Sequence, residues 1–132
     1  IFKWFTYITN MSKYRHFSTI EFDSPDKKGS GCMMSSHFIQ MLDEARDCAG
    51  IPFKITSGYR TKEYNATLKN SVSGSSHCKG LASDIACESS KDRWKIIDSL
   101  LFAGFTRIGI GKNFIHCDID KSKKQNIIWT YY

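Results

Sequence analysis

The sequence is short of proline, of regularly spaced cysteine and of long apolar runs. Two prolines in 132 residues exclude a Pro-rich spacer of any length. No apolar stretch approaches the ~20 residues that a membrane-spanning helix needs. The five cysteines, at 32, 48, 78, 87 and 117, are odd in number and unevenly spaced, so they make a poor disulfide framework. No CxxC pair occurs, and neither a zinc ribbon nor a thioredoxin-type motif is expected. Mostly free thiols and folding in a reducing compartment are expected instead. No secretory signal is visible, because Lys3, Thr6 and Thr9 interrupt the opening apolar residues. Met11 is a candidate natural start, with residues 1–10 an upstream extension.

What is present suits one folded domain. Hydrophobic residues make up 41% and charged residues 24%, which is ordinary for a packed chain and wrong for a disordered one. The net charge of +6 fits either simple solubility or an anionic partner, such as nucleic acid or a bacterial wall. Lys and Arg scatter along the chain and no RNA or DNA motif appears, so no nucleic-acid partner is expected. Lys121, Lys123 and Lys124 form a basic cluster that reads as a solvated turn or a contact to anionic wall polymers.

Residues 12–31 look irregular, with turn chemistry at Ser24-Pro25-Asp26 and Gly29-Ser30-Gly31. Met34, Phe38, Met41, Leu42 and Ala45 recur at helical spacing, which predicts a helix over 33–49 stopped by Gly50 and Pro52. Alternation at Ile51, Phe53 and Ile55 predicts a strand over 51–57. A short helix is expected over 61–69, a Ser/Gly-rich loop over 70–80 and a strand over 81–87. Ser89 or Ser90 caps a second long helix running to about Ala103, with Trp94, Ile97, Leu100 and Leu101 as its apolar stripe and Trp94 in the core. Three further strands are expected over 105–110, 114–119 and 127–131. The sum is a single α+β domain, mainly an antiparallel sheet of about five strands with two main helices.

The chemistry concentrates in two places. His77 leaves the Ser/Gly loop and Asp84 follows it on a strand. Downstream, alternation along Phe114-Ile115-His116-Cys117-Asp118 puts His116 and Asp118 on one face and turns Ile115 and Cys117 toward the core. Two imidazoles and a carboxylate are donors that zinc favours, and they leave a fourth position for water, the hydrolytic pattern. By spacing alone, His and Asp seven apart is a common accident.

The stretch Ser75-Ser76-His77-Cys78-Lys79-Gly80-Leu81-Ala82-Ser83-Asp84 resembles the SxHxxGxAxD motif of the zinc D-Ala-D-Ala peptidase family. Glu21 to Asp26 with Gly29-Ser30-Gly31 is similar to the opening of that family's compact single-domain subgroup. Ile55-Thr56-Ser57-Gly58-Tyr59-Arg60-Thr61 resembles its SGYR element. The stretches over 104–110, 114–120 and 128–131 resemble its closing strands. The likeness runs in register from about Phe17 to Tyr131, with residues 1–16 read as an extension and 17–132 as the domain.

That resemblance implies the Hedgehog/DD-peptidase fold and one zinc ion held by His77, Asp84 and His116. It implies a peptidoglycan peptide as substrate, with Tyr59, Arg60, Ser75 and Ser76 at the substrate pocket and Arg60 stabilising the polarised carbonyl; a loop-fixing salt bridge is the plainer role for Arg60. Related enzymes place an acid three residues before the last His ligand, where this chain has Asn113. Asp118 is then either the substitute general base or a partner that orients a ligand. The reaction expected is removal of a terminal D-Ala or opening of a stem peptide or cross-link. A zinc-containing binding module without turnover is the alternative. A monomer made in the cytoplasm and acting on the cell wall is expected, from a phage or a bacterium. A mixed His/Cys site using Cys78, Cys87 or Cys117 competes less well, because small buried thiols are ordinary core.

Overall fold

The apolar alternation does produce five short strands: β1 (Ile55–Ser57), β2 (Ala82–Ala86), β3 (Arg107–Ile110), β4 (Phe114–Asp118) and β5 (Ile127–Thr130). They form one sheet in the order β1-β2-β4-β3-β5 in the computed structural model, which describes residues 13–69 and 71–132. The first four strands pair antiparallel, and β5 runs parallel to β3, so the sheet is mixed. Among the described residues three α-helices accompany it: α1 (Ser36–Ala49), the short α2 (Lys62–Thr67) and α3 (Ser90–Phe102).

Local chemistry sets the helix ends. Ser35 Oγ accepts the Phe38 N–H at the start of α1, and Gly50 closes its end in the left-handed region at φ 69°. Ser89 accepts the Asp92 N–H and caps α3. One sheet face packs on α1 and α3. Its core joins Ile85, Ile108, Ile115 and Cys117 of the strands to Phe38, Leu42, Ile96 and Leu100 of the helices. The opposite face of the sheet is left to carry polar groups. Among the described residues no helix is long and apolar enough to cross a membrane.

Three expectations need adjustment. The strand predicted over 51–57 shrinks to its last three residues, because Pro52 has no N–H to give a ladder. The loop over 70–80 contains a 3-10 helical turn at Ser76–Lys79. Trp94 is not core: it is 69% exposed, whereas Ile96 is 1% exposed. The buried stripe of α3 is Ile96, Ser99 and Leu100, and Trp94 lies two residues back, about 200° around the helix. Residues 1–12, including Met11 and most of the expected extension, lie outside the described residues. Residues 13–16 lie against α1: Tyr14 is buried, and the Arg15 and His16 N–H groups donate to the Asp43 carboxylate at 2.8 and 2.9 Å.

Candidate metal centre and its cleft

Register decides which side chains meet on the polar face. Asp84 of β2 pairs with His116 of β4, and Gly109 of β3 pairs with His116 from the other side. Arg107 pairs with Asp118, and Trp129 of β5 pairs with Gly109. Paired residues share a face. Asp84, His116, Asp118, Arg107 and Trp129 therefore stand together, opposite the core.

His77 reaches this face from the 3-10 turn at Ser76–Lys79. Ser75 Oγ caps the turn by accepting the His77 N–H, and Gly80 ends it at φ 71°. A Cβ at Gly80 would sit 2.3 Å from the Met33 carbonyl oxygen, so only glycine fits where the turn passes Met33. The SGYR loop clamps the turn: the Arg60 N–H donates to the His77 carbonyl at 3.2 Å, and His77 Nδ1 lies 2.8 Å from the Gly58 carbonyl oxygen. A carbonyl only accepts, so in the neutral ring Nδ1 carries the proton and Nε2 is left bare. That Nε2 lies 3.5 Å from Asp84 Oδ1.

His116 is held from both sides. Its Nδ1 is 3.0 Å from Asp84 Oδ1 and its Nε2 is 2.7 Å from Asp118 Oδ2. Burial alone would lower its pKa, but hydrogen bonds to the two carboxylates outweigh burial and raise it. Burial likewise pushes Asp84 up, yet hydrogen bonds from His116 and His77 hold it well below the usual carboxylate range. Asp118 is 1% exposed. Burial raises its pKa, and the His116 hydrogen bond and charge, the Asp120 N–H and the Arg107 charge bring it down. Arg107 Nε donates to Asp118 Oδ1 at 2.7 Å, and its guanidinium carbon sits 4.9 Å from the centre of the Trp129 ring.

His77, Asp84 and His116 offer three donor atoms within 4.8 Å of one another. The fit to a zinc ion rests on donor chemistry. There are two imidazole nitrogens and one carboxylate oxygen, and each ring is held on its outer side by an acceptor, Gly58 for His77 and Asp118 for His116. Among the described residues no cysteine joins this group. Cys78 lines a separate hollow with Lys62 and Ala66, Cys87 and Cys117 are buried, and all five thiols are free.

A cleft of about 490 Å³ opens above the three donors. Arg60, Ser75, Ser76, Lys123, Phe114, Trp129 and Tyr131 are among its lining residues. Arg60 is held by Ser57 Oγ at 3.1 Å, Asn65 Oδ1 at 3.3 Å and Asp84 Oδ2 at 3.6 Å, so the loop-fixing contact and the cleft position coexist. Tyr59 stands apart from the lining and packs against the hydrophobic core. Asn113 is exposed on the turn before β4, where its carbonyl accepts the Cys87 N–H. Arg107 is a site residue that sequence reasoning missed. Its only signal would have been the pairing of β3 with β4, which brings it opposite Asp118.

Fold and site together define a small α+β domain that brings two histidines and an aspartate, a donor set able to hold a metal ion, together on the open face of its sheet. The chain belongs to the peptidase M15 family, whose family model matches residues 15–118. A comparison with curated proteins gives no match.

Proposed function

We propose that this chain is a zinc-dependent peptidase that hydrolyses peptide bonds in bacterial peptidoglycan. The observation that carries the reading is the convergence of His77 Nε2, His116 Nδ1 and an Asp84 oxygen at the floor of a cleft, within a chain of the M15 peptidase family. When bound, zinc supplies Lewis acidity to the scissile carbonyl and lowers the pKa of water. The chain's own residues bind and orient. Gly58 and Asp118 orient the two imidazoles. Arg60 holds the substrate carbonyl as it gains charge. Ser75 keeps the His77 turn in shape through its cap. Asp118 acts as the positioning partner of His116, since each of its oxygens is already committed, one to His116 and one to Arg107. The cell wall is the place of action this reading implies, whether the source is a phage or a bacterium.

A second reading has one specific observation behind it. Asp84 and Asp118 are the carboxylates lining the cleft among the described residues, both are engaged, and Asn113 lies out on a turn. A domain without an unengaged proton acceptor would bind peptidoglycan peptides and not cut them.

The test is zinc content and muropeptide cleavage on one preparation, beside His77→Ala. One equivalent of zinc, with cleavage lost in the variant, supports the peptidase, and product masses then separate carboxypeptidase from endopeptidase. Zinc without cleavage selects the binding module. A wild-type protein that takes up no zinc would sink both readings.

A further inference from the structure

The cleft carries more positive charge than its metal centre uses. Four cationic side chains line it (Arg60, Lys69, Arg107 and Lys123) against two carboxylates, Asp84 and Asp118. Arg107 is neutralised by Asp118 at 2.7 Å, and Arg60 leans on Asp84 at 3.6 Å. Lys123 shares its carboxylate partner, Asp120, with Lys79, which lies closer at 3.0 Å. The Lys123 ammonium donates to Ser76 Oγ at 2.9 Å, and the nearest carboxylate oxygen, on Asp120, is 3.9 Å away.

That carboxylate is already full. Asp120 Oδ2 accepts the Ser76 hydroxyl at 2.7 Å and the Lys79 ammonium at 3.0 Å, while Oδ1 accepts the Ser122 N–H at 3.1 Å and hydroxyl at 2.7 Å. Asp120 is almost fully buried, so this network fixes Ser76, and Ser76 in turn fixes the lysine head. An ammonium has three N–H donors. One is spent on a neutral hydroxyl. The others have no acceptor among the described residues, on a side chain only 33% exposed that lines the cleft. A half-buried cation held in place with unspent donors is built to meet an anion.

We propose that Lys123 is the residue by which this cleft reads a free carboxylate on its substrate peptide, making it a specificity determinant. The proposal rests on the peptidase reading for the kind of substrate, and it adds a residue that lies beyond the stretch the family model matches. A lysine suits the task as a compact point charge that a single carboxylate oxygen satisfies.

The probes are a peptidoglycan stem pentapeptide with all carboxylates free, the same peptide as its C-terminal amide, and the same peptide amidated at the D-glutamate α-carboxyl. Calorimetric binding to the zinc-loaded protein and kcat/KM are both measured, for wild type, Lys123→Met and Lys123→Arg. The wild type should favour the free acid over one of the two amides by about tenfold, the order expected of a charge-assisted hydrogen bond. The amide that loses affinity says which carboxylate is read. Lys123→Met should bind acid and amide alike, and Lys123→Arg should restore a preference. Equal binding of all three peptides by the wild type overturns the proposal, as does a preference that survives in Lys123→Met. If no peptide is cut, the peptidase reading fails, and the binding arm still decides the role of Lys123. An unchanged unfolding midpoint in Lys123→Met separates loss of preference from loss of fold.

Discussion

Asp118 Oδ2 lies 2.7 Å from His116 Nε2, so the ring's other nitrogen, Nδ1, is the one turned to Asp84 at 3.0 Å. A carboxylate behind a ligating imidazole fixes its orientation and raises its basicity. Asp118→Asn should therefore weaken zinc binding by about 10–100-fold, the usual cost of losing such a partner. Cleavage should fall in step and return when zinc is raised. Titration with a competing chelator, alongside rate against free zinc, checks this. Normal zinc affinity with no turnover at any zinc concentration would instead make Asp118 the proton acceptor.

Zinc should also stabilise the fold through the same donors. A ligand that binds only the folded state adds about 2.7 kcal/mol when present at 100 times its Kd. The thermal midpoint of the wild type should rise with zinc and fall with chelator. His77→Ala should show neither shift, because it removes one of the three donors. A zinc response that survives in His77→Ala would place the ion elsewhere.

Acid should loosen the loop that carries Lys123. Burial would raise the Asp120 pKa, but hydrogen bonds from Ser122, Ser76 and Lys79 hold it well below the carboxylate range. An unfolded Asp titrates near 3.9, so the stabilisation from Asp120 is fully present above about pH 4 and is lost as pH falls below it. Asp120→Asn should be less stable than wild type at neutral pH, with the gap narrowing below about pH 4. Urea midpoints at pH 7 and pH 3 measure it; a gap that stays constant would remove Asp120 as an acid-labile tie.

Much of the site was legible because β4 obeys simple alternation. His116 and Asp118 do share the open face, and Ile115 and Cys117 are fully buried behind it. The helix boundaries were legible where Ser89 and Gly50 supply cap chemistry, whereas the start of α1, expected at 33, falls at Ser36 behind the unread Ser35 cap. What stayed hidden depends on partners distant in sequence. Nothing local says that β5 pairs parallel with β3, and that pairing is what brings Trp129 over Gly109 and under Arg107. The engagement of Asp118 by Arg107 was hidden for the same reason. Trp94 misled because size argues for burial, whereas the helix phase set by Ile96 and Leu100 turns it outward.

The phase of α3 can be tested by paired substitutions. Ile96 is fully packed in the core, so Ile96→Ala should cost about 2–5 kcal/mol. Trp94 is mostly exposed, and Trp94→Lys should stay within about 0.5 kcal/mol of wild type. Denaturant midpoints at constant m-value decide it. A large loss from Trp94→Lys would return the tryptophan to the core and rotate the helix.

Gly109 is the position on which the aromatic wall of the cleft depends. It sits between His116 and Trp129 across the sheet, and its missing side chain leaves room for two rings. A Cβ there would lie 2.7 Å from Trp129 Cε2 and 2.7 Å from Tyr131 Cε2, closer than real Cβ contacts allow. Those rings approach His116, with centroids 5.5 and 6.4 Å away, so they cannot move without changing the wall beside the metal donors. Gly109→Ala should cost about 1–3 kcal/mol, the range for overpacking. Its effect on catalysis should fall mainly on KM, since the three metal donors and their outer hydrogen bonds involve no atom of residue 109. Zinc stoichiometry should stay at one. A variant that keeps wild-type stability and KM would mean that the rings swing aside freely, and the wall would then have no part in holding substrate.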